Sequence, residues 1–141
     1  MMFMRPVAVL DLCLALASGV HAGDPPPQGQ VEALYFHRTA RCPSCLNMEA
    51  YAGEAVSRFA ADRDAGRLTG RAVNIDEPGN RHFQRDYALE INSLVLSRHE
   101  AGREVAWTNL PDVWALVGDR SNFVAYVEME IAKQLDQLPK E

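Results

Sequence analysis

Two cysteines two residues apart, at the point where an apolar run gives way to a helical pattern, constrain this chain more than any other feature. The stretch reads "VEALYFHRTARCPSCLNMEA", with Cys42 and Cys45 enclosing Pro43 and Ser44. Val31 to Phe36 is short, apolar and aromatic, the pattern of a buried strand. "HRTAR" is a polar turn. Pro43 then opens a helix, because its missing N–H is unneeded in the first turn. Met48, Ala52, Ala55, Val56 and Phe59 recur on one helical face. Glu54 and Arg58 stand four apart on the other side, and Gly66 is a plausible stop.

The rest of the chain supplies a sheet for that strand. "RLTGRAVNID" carries a second strand centred on Arg71 to Ile75, and "EPGN" is a turn. "RHFQRDYAL" is a short helix. "NSLVLSR" and "REVAWTN" are two further strands, joined by "HEAGR" as a hairpin with Gly102 in its turn. "LPDVWALVG" is a brief helix, and a last helix spans Asp119 to Leu138 with Val124, Val127, Ile131, Leu135 and Leu138 on one face. The order β-α-β-α-β-β-α predicts an α/β domain. Its parallel pair is joined by a crossover helix, and its late hairpin gives a four-stranded mixed sheet with flanking helices. Cys-x-x-Cys beside such a unit is the signature of the thioredoxin-like layout.

The spacing suits thiol chemistry. Cys42 falls at the cap of the first helix, where unpaired N–H groups and the helix dipole favour negative charge. The thiolate is the nucleophile, and nearby cations favour it further. Arg41, Arg38 and His37 all lie within five residues before Cys42. Cys45 is one turn on, so its sulfur can resolve a mixed disulfide formed by the first. The expectation is an exposed attacking Cys42 and a more buried resolving Cys45. Arg41, Pro43, Ser44 and His37 are expected to tune the pair, His37 as thiolate support or proton shuttle.

Other readings of the same sulfurs differ in what they require. A staple across so short a loop removes little unfolded-state entropy. Zinc wants four ligands, whereas His37, His82 and His99 are scattered. A Cu(I) carrier or sensor would use Cys42, Cys45 and Met48 as three soft sulfurs, although Met48 also fits the apolar face. A non-catalytic adaptor would keep the fold alone. His82 and His99 read as solvated, Glu32 as an edge or exposed carboxylate, and Trp107 and Trp114 as core or inter-element packing residues, with a docking surface as the alternative for one of them.

The first 22 residues read as a secretory signal: Arg5, an apolar core from Pro6 to Val20 interrupted by Asp11, and "VHA" as the cleavage site. Cys13 leaves with it, so the mature chain keeps Cys42 and Cys45 alone. Residues 23–29, "GDPPPQG", form a proline-rich linker, and 30–141 the folded domain. An exported protein with one cysteine pair belongs where disulfides persist, here the bacterial periplasm. No stable membrane insertion is expected after processing. A net charge of -5 without a basic stripe argues against nucleic acid. The expected partner is a redox protein, with no cofactor.

"YFHRTARCPSCLNME" together with "VAWTNLPDVWALVGDRSNFVAYVEMEI" resembles small exported bacterial thioredoxin-like proteins, catalogued as the nitrophenyl-compound nitroreductase subunit family. The resemblance spans roughly Val31 to Leu138. It implies a thioredoxin-like fold, Cys42 and Cys45 as redox-active positions, and electron delivery to a nitroaromatic-reducing system. The chain departs from general thioredoxins in three places. Arg41 replaces the tryptophan before the first cysteine. Tyr35 and Phe36 occupy the strand that usually holds a buried aspartate. Asn92 or Ser93 takes the place of the cis-proline in the loop facing the site.

Overall fold

Strand β1 (Gly29–His37) is the spine of the fold, because Ala33 through His37 are buried on both of its faces. The computed structural model describes residues 27–140. The signal segment 1–22, and residues 23–26 of the linker expected over 23–29, lie outside the described residues. β1 pairs in parallel with β2 (Leu68–Asn74) and antiparallel with β3 (Ser93–Glu100), which carries β4 (Arg103–Asn109) at the edge. The order β2-β1-β3-β4, with helices flanking a mixed sheet, is the thioredoxin-like α/β arrangement. β1 is longer than the run read from sequence, since Gly29 and Gln30 continue the ladder opposite Glu100 and His99. At that same end of β3, Ala101 and Gly102 both adopt positive φ, as a two-residue hairpin turn requires.

The first helix departs from expectation. Instead of running to Gly66 it ends at Ser57, giving α1 (Pro43–Ser57) and a separate α2 (Ala60–Asp64). The Ser57 hydroxyl donates to the Glu54 carbonyl at 2.6 Å, and the Arg58 N–H turns back to Ala55. Serine competing for a helix carbonyl loosens the next turn, and Phe59 leaves the helical path to pack partly buried against the core. Gly66, at φ +73°, closes α2. The short helix α3 (His82–Asp86) and one turn, α4 (Val113–Leu116), precede α5 (Arg120–Leu135). Asp119 caps α5 by accepting the Asn122 N–H at 3.2 Å. Leu138 lies beyond the helix yet remains buried, over Gly29.

Each face of the sheet has its own core. On one, Met48, Ala52 and Val56 of α1 and Phe123, Val127 and Ile131 of α5 cover Val31, Ala33 and Tyr35. Each large side chain fully removed from water there contributes about 1.5–3 kcal/mol. On the other, Leu34, Phe36, Val73 and Val95 meet Tyr87 and Leu89, with Phe83 of α3 against them.

Away from α3 that second face turns polar, and one sequence reading is corrected there. His99 is not solvated. It is half-buried, with Nε2 2.9 Å from the Ser97 hydroxyl and 3.6 Å from Glu32. Glu104 accepts from both Ser97 and Tyr87, the latter at 2.5 Å. Burial, and next the bond to Glu104, push the Tyr87 phenol up to about 12. Trp107 and Trp114 are not core residues, being 42% and 36% exposed. Trp107 is on edge strand β4, where the Tyr87 ring meets it edge-on. His82 is exposed as expected and pairs with Asp86.

Candidate functional site

Cys42 occupies the N-cap of α1 in extended backbone conformation, with Pro43 in the first turn. The two cysteines are joined as a disulfide, their Cα atoms 5.0 Å apart. Their environments differ. Cys42 is exposed, whereas Cys45 is 5% exposed on the inward side of the helix. The Cys42 sulfur accepts the Cys45 backbone N–H at 3.1 Å, one of the donors that a helix start leaves without an intrahelical partner.

The loop leading to this cap is clamped from β2. Asp76 accepts the Thr39 N–H at 2.8 Å and the Arg38 guanidinium at 3.0 Å. Asn74 donates to the Thr39 hydroxyl at 3.0 Å. The Thr39 N–H, with Arg38 assisting, holds the Asp76 carboxyl below its ordinary value. A rigid loop fixes where the exposed sulfur points.

The residues expected to tune the pair divide. Pro43 and Ser44 lie between the sulfurs, as their positions dictate. Arg41 directs its guanidinium to Glu49 of α1, so the cation beside Cys42 has a carboxylate partner. Arg38 is engaged by Asp76. His37 is buried at the end of β1 rather than in a turn. Its Nδ1 is 2.9 Å from the Arg38 carbonyl, which can only accept, so Nδ1 carries the proton. Its ring stacks on Tyr35 with centroids 6.0 Å apart. Met48, the third sulfur of the copper reading, is 1% exposed within the core.

The loop before β3 approaches from the far side. The Asn92 amide donates to the Cys45 sulfur at 3.1 Å, while the Ser93 hydroxyl turns away to the Ile91 carbonyl. Two contacts escaped sequence reasoning. The Tyr35 hydroxyl donates to the Cys45 carbonyl at 2.8 Å, and Trp114 Nε1 donates to the Asn92 carbonyl at 2.8 Å. A polar tip on a buried strand was the available signal for Tyr35, since a buried tyrosine hydroxyl finds a partner. Burial raises the Tyr35 phenol above its ordinary value, and a hydrogen bond from Asn92 and the Arg41 charge partly offset this.

Leu46, next to Cys45 in the chain, and Ile91, next to Asn92, are 53% and 56% exposed, and the exposed Trp114 is bonded to the Asn92 carbonyl. A groove of about 450 Å³ between α1 and β2 reaches Tyr35 and Glu49 but is not lined by either cysteine. Of the disulfide, the Cys42 side is presented at the surface and the Cys45 side is buried. Among the described residues no cluster of three His, Cys, Asp or Glu side chains is placed to hold a metal ion, and no helix is long and apolar enough to cross a membrane.

No protein-family model matches this chain, and the search of curated proteins returns no match. Among solved structures it is similar to a thioredoxin from Thermus thermophilus, at 21% identity over 74% of this chain and 76% of that one, with a TM-score of 0.46. It is similar also to the germline-specific thioredoxin Deadhead of Drosophila melanogaster, at 15% identity over 66% and 80% of the two chains, with a TM-score of 0.42. A third likeness is to a malarial protein, at 17% identity, 64% and 97% coverage, and a TM-score of 0.40.

Proposed function

We propose that this chain is an exported thiol–disulfide oxidoreductase that exchanges electrons with a partner protein through Cys42 and Cys45. The observation that carries the reading is the asymmetry of the pair: an exposed sulfur at a helix N-cap, bonded to a buried one a turn later. In the oxidising direction a partner thiolate attacks the Cys42 sulfur, the Cys42–Cys45 bond breaks, and its electron pair leaves on Cys45. A second partner thiolate then attacks its own sulfur in the mixed disulfide and releases Cys42. Two electrons enter this protein, and the partner gains a disulfide. In the reducing direction each step reverses, Cys42 attacking a partner cystine and Cys45 resolving.

A protein partner fits the setting better than a small molecule. Leu46, Ile91 and Trp114 are exposed apolar side chains on the segments that carry Cys45 and Asn92, and Cys42 is itself exposed. The apolar N-terminal stretch ending in "VHA" supports export, to the bacterial periplasm in our reading. The resemblance to the nitrophenyl-compound nitroreductase subunit family suggests a nitroaromatic-reducing system as one destination of the electrons.

The test is partner trapping. Cys45→Ser is expected to accumulate a mixed disulfide through Cys42 that reductant releases, while Cys42→Ser/Cys45→Ser accumulates none. Recovery of the same partners by both variants would refute the mechanism.

A further inference from the structure

Each sulfur of the pair has its own N–H donor, and the two donors differ in origin. Cys42 receives the Cys45 backbone N–H, which any helix start supplies. Cys45 receives a side-chain amide from a different part of the fold, Asn92, forty-seven residues away in sequence. The Asn92 main chain is held in turn, its carbonyl accepting from Trp114 Nε1 at 2.8 Å. On the other side, Tyr35 fixes the Cys45 carbonyl, also at 2.8 Å. The sulfur and its donor are therefore anchored independently, one by β1 and the other by the segment around α4. Thiol-disulfide exchange supplies no reason for an amide here unless the sulfur it meets becomes charged.

We propose that Asn92 stabilises the Cys45 thiolate formed when the disulfide opens, and thereby poises the couple as an oxidant of partner thiols. The inference rests on the dithiol–disulfide reading above and deepens it by assigning a direction. When a partner thiolate attacks Cys42, the electron pair of the broken S–S bond comes to rest on the Cys45 sulfur. That sulfur is buried and remote from water, where a bare thiolate is disfavoured. A neutral disulfide sulfur is a weak acceptor, whereas hydrogen bonds to ionised acceptors are roughly twice as strong. The Asn92 bond thus tightens on reduction and favours the reduced form, the same direction that makes a dithiol protein oxidising. An amide suits this task because it donates without titrating. A carboxylate at the same place would repel the thiolate instead.

The experiment measures the equilibrium of the purified full chain with glutathione, for wild type, Asn92→Ala and Asn92→Asp. Removing the donor is expected to shift the equilibrium about tenfold toward the disulfide, which is about 30 mV more negative for this two-electron couple. Asn92→Asp is expected to shift it at least as far in the same direction. Should either variant stay within about twofold of wild type, the proposal is overturned. If Asn92→Ala does not fold, Asn92→Asp alone decides by the same criterion. The equilibrium is read without any partner protein. Failure of Cys45→Ser to trap any partner therefore sinks the exchange reading, whereas unshifted Asn92 variants of a protein whose Cys45→Ser form does trap partners sink only the role of Asn92.

Discussion

Tyr35→Phe deletes one oxygen and leaves the ring, so its effect isolates the bond between the first strand and the first turn of α1. The ring is 3% exposed and packs in the main core, which the substitution leaves unchanged. What is lost is a 2.8 Å hydrogen bond to the Cys45 carbonyl. A buried hydrogen bond contributes about 1 kcal/mol net, and stranding a buried partner adds to the loss, so we expect about 1.5 kcal/mol. For about 110 ordered residues the unfolding entropy is roughly 0.23 kcal/mol/K, which converts that loss to a Tm decrease of about 6 °C. Scanning calorimetry on the oxidised and the reduced protein reads it. Both forms should fall by similar amounts, because the carbonyl is the same acceptor in each. Tyr51→Phe is the control, its ring being partly buried with no hydroxyl partner among the described residues. A Tm within about 1 °C of wild type, or a loss confined to one redox form, would refute the reasoning.

Two predictions concern pH. Asp76 has a folded pKa below its ordinary value, so its stabilisation is complete above about pH 4 and is lost as pH falls through the depressed folded value. Asp76→Ala should accordingly be less stable than wild type in urea at neutral pH, and the gap should close on acidification. A gap that widens below pH 4 contradicts the clamp on the loop before Cys42. Tyr87 is shifted the opposite way, up to about 12. Its bond to Glu104 is therefore fully present below about pH 10 and fades as pH rises toward the folded value. Tyr87→Phe should lose about 1 kcal/mol at neutral pH, and the difference from wild type should shrink in alkaline denaturation curves. A constant difference up to about pH 12 would rule out that hydrogen bond as its source.

The elements most legible in the sequence are those specified by neighbours in the chain. Strand β4 coincides with "REVAWTN", because it is bounded by a hairpin turn at Gly102 and a proline at Pro111. The face of α5 was readable from period alone, and Val124, Val127, Ile131 and Leu135 are all buried. The break between α1 and α2 was not readable. The apolar period runs through Phe59, and the interruption comes from a serine hydroxyl choosing a carbonyl over water. The exposure of Trp107 was not readable, because hydrophobicity does not tell an edge strand from a central one.

For the dithiol the division is sharper. Caps and helical spacing are local properties, so the residue order alone puts two sulfurs one turn apart at a proline-opened helix start, with the first at the cap. Which groups face them depends on pairing between distant segments. Tyr35 pairs across the ladder with Leu94, and Phe36 with Ser93, so antiparallel register delivers the start of β3 beside the end of β1. Asn92, one residue before β3, is thereby brought to the Cys45 sulfur. The turn after β2 likewise sets Asp76 against the loop preceding Cys42. Such contacts join residues dozens of positions apart, and they exist only once the sheet has fixed its register.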